Sequence, residues 1–161
     1  MADNIAMPEA GMPAPPFEGV TQDGETISLD DFKGRKLALY FYPRDNTPGC
    51  TKQACNLRDN FDTLKEHDIA IVGVSDDPVA KHRSFADTYD LPFPLLADED
   101  RTVLGSYGAY GQKNMYGRVV MGTKRTTFLI DEDGTIVKVY KRPKTTNHAE
   151  EILTGFGIDS K

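Results

Sequence analysis

The chain holds only two cysteines, Cys50 and Cys55, and both lie in the string Pro43-Arg44-Asp45-Asn46-Thr47-Pro48-Gly49-Cys50-Thr51-Lys52-Gln53-Ala54-Cys55. Cysteine reacts as its thiolate, so the question is what stabilises a negative charge at either position. Thr47 suits a helix N-cap and Pro48 suits the first helical position, where its missing N–H costs nothing. Gly49 and Cys50 then fall in the first turn, among backbone N–H groups without an intrahelical partner. A thiolate there can accept those donors and sits at the positive end of the helix dipole. Cys50 is therefore the candidate nucleophile.

At about 100° per residue, Ala54, Leu57, Phe61 and Leu64 all fall within about 40° of Cys50. Cys50 heads this apolar stripe and is expected to be sheltered. Cys55 falls about 140° away, among Thr51, Lys52, Asp62 and Glu66, on the solvent face. In an intact helix the two Cα atoms would be about 8.7 Å apart, whereas a disulfide tolerates at most about 6.8 Å. If the two sulfurs pair, the first turns of the helix must unwind. The spacing predicts a switch between a folded reduced form and a locally unfolded oxidised form.

Other readings stay open on the residues alone. Free cysteines are often inert core residues. A permanent structural disulfide fits poorly with so short a loop and no visible secretory signal. A zinc site needs about four ligands, and His67, His82 and His148 are scattered without ligand spacing to the cysteines; each reads as a surface residue. A thioredoxin-type dithiol motif has two residues between its cysteines, and this pair has four.

The elements that position the pair follow from periodicity. Residues 1–13 read as an irregular arm and 14–161 as a single domain, consistent with a length of 161 residues. Phe17–Val20 and Glu25–Leu29 form an N-terminal β-hairpin around Thr21–Gly24. Leu37–Tyr42 is a near-continuous apolar run, as expected of a strand buried on both faces. The Cys50 helix follows and ends near Glu66–Asp68. Ile69–Val74 is a second buried strand, Asp76–Pro78 caps a helix to about Tyr89, Phe93–Ala97 is a short strand and Thr102–Tyr107 a short helix. Tyr107–Gly122 reads only as a loop or hairpin. Arg125–Ile130 and Thr135–Tyr140 form a hairpin across Asp131–Gly134, and Asn147–Gly155 is a closing helix. This order gives an α/β fold of the thioredoxin-like type, a mixed central sheet flanked by helices on both faces. Cys50 then lies beyond the carboxyl end of a central strand, where open α/β sheets place their sites.

Composition bounds the partners. A net charge of −6 and a pI near 5.0 argue against nucleic acid or an anionic membrane surface. No apolar run reaches the length of a membrane span. Met1–Pro16 has Asp3 and Glu9, no basic residue and no apolar core, so it does not read as a signal peptide. The expected location is cytoplasmic, where a reactive cysteine pair is more often catalytic than structural.

The residues resemble a known family. Pro43, Thr47 and Cys50 match the Pro-x-x-x-Thr-x-x-Cys signature of the peroxiredoxins. The longer string Phe41–Thr51 resembles the peroxiredoxin Q branch, also called bacterioferritin comigratory protein, in which a resolving cysteine often follows five residues after the peroxidatic one. The resemblance runs from about Ala14 to Gly157 and includes Gly122–Asp131 and Lys113–Gly117. It implies that Cys50 is the peroxidatic cysteine, Cys55 the resolving one, and Thr47 and Arg125 the pair that positions the peroxide. It also implies a hydroperoxide substrate, thioredoxin or a similar dithiol protein as reductant, and no cofactor. Many members carry Glu where this chain has Gln53, which leaves the role of that position open.

Each implied role has a physical basis and a plainer counterpart. Arg125 is always cationic and can stabilise a thiolate and hold the peroxide oxygens, or it can be a solvated charge beside Lys124. The Thr47 hydroxyl both donates and accepts, or serves as an ordinary N-cap. Pro43 can shield the thiolate without competing for hydrogen bonds, or merely end a strand. Arg44 and Asp45 read as surface loop residues. Attack on a peroxide would leave Cys50 as sulfenic acid, which condenses with a nearby thiol. An intramolecular pair needs no second subunit, so a monomer is expected. A redox-sensing or holdase-type protein could use the same disulfide switch without turnover.

Overall fold

The structure is a computed structural model and describes residues 7–158 apart from Asn46 and Tyr116. Asn46 of the signature string, Tyr116 of the Lys113–Gly117 string and most of the N-terminal arm's first half lie outside the described residues.

The run Leu37-Ala38-Leu39-Tyr40-Phe41 offers no polar face, and it becomes the centre of the sheet as β3 (Lys36–Phe41). The β-strands β1 (Glu18–Thr21) and β2 (Thr26–Ser28) form the expected N-terminal hairpin. With β4 (Ile69–Ser75), β5 (Leu95–Ala97), β8 (Thr126–Ile130) and β9 (Ile136–Tyr140), they make a seven-stranded sheet ordered β2-β1-β5-β4-β3-β8-β9. β3, β4 and β5 are parallel, while β8 runs antiparallel to β3 and β1 antiparallel to β5. The sheet is mixed, as expected, and both central strands are apolar on both faces because both faces are covered. Before β1, Gly11 and Ala14 donate backbone hydrogen bonds to Ile136 and Gly134 at 2.7 and 2.8 Å, so this part of the arm is tied along β9.

Alternation along β3 divides the core. Ala38 and Tyr40 face α1 (Pro48–Asp59), α2 (Phe61–Glu66), α3 (Val79–Tyr89) and α5 (His148–Gly155). Leu37, Leu39 and Phe41 face the opposite side, covered by a 3-10 turn at Leu29–Phe32 and by α4 (Thr102–Ser106). Helices thus lie on both faces, unequally. Leu57 and Leu64 are fully buried, each contributing about 1.5–3 kcal/mol of apolar transfer. Gly73 of β4 is required where it stands: a Cβ there would lie 2.9 Å from the Tyr40 ring.

One boundary differs from the periodicity. The apolar stripe runs on through Phe61 and Leu64, which predicts one helix to Glu66–Asp68, but the helix breaks at Asn60. There the Asn60 side chain donates to the Asn56 carbonyl at 2.8 Å, a local bond of the kind that competes with a continuing helix. The Tyr107–Gly122 segment resolves as a hairpin, β6 (Tyr110–Met115) and β7 (Arg118–Thr123), forming a separate two-stranded sheet.

Candidate active site

Cys50 lies in the first turn of α1, just beyond the carboxyl end of β3, as its spacing predicts. Thr47 is the N-cap residue, with extended backbone (φ −90°, ψ 156°), and Pro48 opens the helix. The Thr47 carbonyl accepts the Thr51 N–H at 2.8 Å. Its hydroxyl does not cap the helix; it donates to the Arg44 carbonyl at 3.0 Å, which leaves its lone pairs for another donor. The stripe comes out as expected: Cys50 is 1% exposed, with Ala54 and Leu57 behind it in the core. Cys55, on the other face, is partly exposed, and both thiols are free.

Arg125 comes from far along the chain. The β3–β8 register pairs Phe41 with Thr126, so Arg125 stands at the sheet end where the chain turns into Pro43–Thr47. Its Nη2 donates to Cys50 Sγ at 3.3 Å and its Nη1 to Gln53 Oε1 at 2.7 Å. The planar fork thus spans two residues one helical turn apart. Gln53 orients the guanidinium without cancelling its charge. Gly49 leaves room for it, since a Cβ would lie 3.1 Å from Nη2.

Two buried side-chain atoms among the described residues have no hydrogen-bond partner, Tyr40 Oη and Gln53 Nε2. Such an orphan costs about 1–3 kcal/mol. Burial, and after it the charges of Cys50 and Asp45, hold the Tyr40 phenol well above its ordinary pKa, so it stays neutral.

Pro43, half-buried, and Thr47 also line a cleft of about 400 Å³ with Arg44, Tyr110, Val120 and Met121. Its apolar side comes from the β6–β7 hairpin, where Met121 is exposed. A smaller hollow of about 200 Å³ at the opposite end of β3, between Leu37, Phe32 and Ile130, is lined by neither cysteine.

Sequence reasoning misplaced three polar residues. Asp45, expected on the surface, is 4% exposed, and His82 and His148 are fully buried; of the histidines, only His67 is on the surface. Asp45 accepts from the Tyr42 hydroxyl and pairs with His82 Nδ1, each at 2.6 Å, while its backbone N–H donates to Asp77 at 2.7 Å. His82 Nε2 reaches the Leu96 carbonyl at 3.1 Å and Asp77 accepts from Ser75 at 2.9 Å. This network pins Asp45 between β3, β4 and α3. Asp45, Asp77 and His82 have ligand atoms within 4.8 Å of one another, but those atoms are already committed to these bonds. His148 bridges Thr127 and Glu151, both at 2.8 Å. Burial pushes its imidazole below the usual 6.5, with Glu151 opposing and Arg125 adding to the shift. A signal existed for both: Val79, His82, Phe85 and Ala86 share one helical face, and so do His148 and Ile152.

Comparison with known proteins agrees with this geometry. The AhpC/TSA family matches residues 10–139. A Coxiella burnetii protein named putative peroxiredoxin bcp is 48% identical over 145 residues, covering 90% of this chain and 96% of its own. Escherichia coli peroxiredoxin Bcp is 45% identical over 145 residues, covering 90% and 93%. Among solved structures, peroxidoxin BcpB of Mycobacterium tuberculosis superposes with a TM-score of 0.83 at 34% identity, over 96% of this chain and all (100%) of that one. A Xanthomonas campestris peroxiredoxin Q gives 0.85 at 30% identity over 93% and 98%. With a helix-capped cysteine held by an arginine on a thioredoxin-like sheet, the chain belongs to the AhpC/TSA family and, within it, to the Bcp/peroxiredoxin Q peroxiredoxins, which are thiol peroxidases.

Proposed function

We propose that the protein reduces hydrogen peroxide and organic hydroperoxides through Cys50, resolves the product with Cys55, and is recycled by thioredoxin or a similar dithiol protein. The observation that carries this reading is the Arg125 guanidinium donating to Cys50 Sγ at 3.3 Å in the first turn of α1. Cys50 attacks one peroxide oxygen in line; the S–O bond forms as the O–O bond breaks. The other oxygen leaves as hydroxide or alkoxide and takes up a proton as water or alcohol. Arg125 stabilises the thiolate and then the charge spreading over the two oxygens. Thr47, with lone pairs unused by the helix, orients the peroxide O–H, and Pro43 closes the site without offering a competing donor. The neighbouring cleft, with Tyr110, Val120 and Met121, has room for the apolar part of an organic hydroperoxide.

The sulfenic acid on Cys50 then condenses with the Cys55 thiol; the S–S bond forms, the S–OH bond breaks and water leaves. An external dithiol takes the disulfide apart by exchange at the more exposed sulfur, that of Cys55. Without the condensation with Cys55, further peroxide drives the Cys50 sulfenic acid to sulfinic acid. Resolution within one chain supports a monomer. No helix among the described residues is long and apolar enough to cross a membrane, and a cytoplasmic site of action follows from the chemistry, since exchange needs a reducing pool.

The test is turnover of hydrogen peroxide coupled to NADPH through thioredoxin and its reductase. Wild-type protein sustains NADPH consumption. Cys50→Ser abolishes it, while Cys55→Ser reacts once and accumulates sulfenic acid or an intermolecular disulfide. Normal turnover by Cys55→Ser would remove the resolving role. A single burst by wild type, with no consumption above background, would make the protein a redox switch rather than a catalyst.

A further inference from the structure

The two halves of α1 are attached to the molecule in different ways. In the half that contains the cysteines, the side-chain hydrogen bonds of Cys50 and Gln53 both end on one guanidinium, that of Arg125. Once Cys50 leaves that partner, little beyond the Ala54 methyl and the Gln53 side chain keeps this half docked. The half that starts at Asn56 is fastened at three places. The Asn56 Oδ1 accepts the Ala149 N–H at 2.8 Å and its Nδ2 donates to the Thr146 carbonyl at 3.1 Å. Leu57 is fully buried, and Arg58 Nη1 donates to the Tyr89 carbonyl at the end of α3 at 2.8 Å. The N-cap residue of α5, Asn147, makes no side-chain capping bond. Asn56 supplies that cap from another helix, and its two bonds fix the orientation of its amide.

This bears on which sulfur moves. The residue fastened by two bonds is the one directly after Cys55. Consecutive Cα atoms are held about 3.8 Å apart, so an anchored Asn56 confines Cys55 to a small sphere. Closing an intact-helix separation of about 8.7 Å to less than about 6.8 Å then falls to the Cys50 side. We propose that Asn56 is the positioning residue that ends the redox-linked unwinding of α1 and holds Cys55 in place, so that the disulfide forms by Cys50 travelling to Cys55. The inference rests on the disulfide reading above. Cys50 would leave its buried seat beside Arg125 for the partly exposed face, where a reductant protein can reach the bond.

Hydrogen exchange of the full chain, read by mass spectrometry or NMR before and after one equivalent of peroxide, tests this. The amides of Thr51 to Asp59 donate to carbonyls at or before Cys55 and lose protection in the oxidised protein, by about tenfold or more. Asn60, whose N–H donates to the Asn56 carbonyl at 3.2 Å, and Ala149 change less than about twofold. In Asn56→Ala, the Asn60 amide is protected in the reduced form and loses protection on oxidation. A purely structural role would move it in both forms alike. Asn56→Asp keeps an acceptor for Ala149 and restores Asn60 protection in the oxidised form. The proposal is overturned if oxidation of the wild type deprotects Asn60 or Ala149, or if Asn56→Ala leaves the boundary where it was. If peroxide treatment yields no Cys50–Cys55 bond at all, the disulfide reading fails instead.

Discussion

Replacing Arg125 with alanine separates the peroxide step from the recycling step. At 3.3 Å, two unit charges at an effective dielectric of 20 interact by about 5 kcal/mol, which is an upper bound. Arg125 is partly exposed, and solvent reduces that figure. Loss of one preorganised donor to a developing anion costs about 2.7–4 kcal/mol, or about 10²–10³ in rate. The Gln53 contact at 2.7 Å adds to the loss, because the donor's orientation goes with the donor. Arg125→Ala should therefore slow reaction with hydrogen peroxide by about 10²–10³-fold. Rapid acid quench, thiol alkylation and mass analysis follow disappearance of the Cys50 thiol in a single turnover. Recycling is measured separately, from the preformed disulfide with reduced thioredoxin. In the disulfide Cys50 no longer needs the guanidinium, so that rate should change less than about threefold. Arg125→Lys keeps the charge but not the fork that spans Cys50 and Gln53, and should fall between the two. Equal slowing of both steps, or a peroxide step within about fivefold of wild type, would refute the role assigned to Arg125.

Gln53→Ala removes the acceptor that orients Arg125 and should slow the peroxide step by about tenfold, the equivalent of one charge-assisted hydrogen bond of about 1.5 kcal/mol; the same single-turnover assay reads it. Asp45→Ala leaves His82 and the Tyr42 hydroxyl buried without their carboxylate and should cost about 3–5 kcal/mol in urea unfolding; a cost below about 1 kcal/mol would show that the network does not hold the chain at Asp45. His148 contributes a pH dependence of known sign. Its folded pKa lies below the usual 6.5, so the unfolded chain binds the proton first and stability, complete above about 6.5, is lost as pH falls towards the folded value. Wild type should lose more stability than His148→Gln between pH 7.5 and 5.5, measured by chemical unfolding, and parallel losses would exclude His148 as the source.

The cysteine end of the site was legible because it is local. A cap, a proline and an apolar stripe within Thr47–Leu64 determine which sulfur is sheltered and which is wet, and α/β alternation places them at the end of β3. Arg125 could not be located by spacing, since it lies 75 residues from Cys50 in sequence; only the antiparallel β3–β8 register brings it there. The resemblance to the family named it, and the fold supplies the reason. Asp45 and His82 were misread because a charged residue in a loop and a lone histidine in a helix are usually solvated, and here each is the other's partner across 37 residues. The break at Asn60 was hidden by an apolar stripe that continues across it, since side-chain periodicity reports the buried face and not the backbone bonds.

The central claim is that Cys50 is oxidised by peroxide and then bonded to Cys55 through unwinding of α1. Peptide mapping after one equivalent of hydrogen peroxide, with free thiols alkylated first, tests it most directly. The expected product is a single peptide carrying both cysteines, unalkylated and lighter than the reduced peptide by two hydrogens, and absent from Cys50→Ser. Recovery of both cysteines as alkylated thiols, or of Cys50 as sulfinic acid with Cys55 still free, would contradict it.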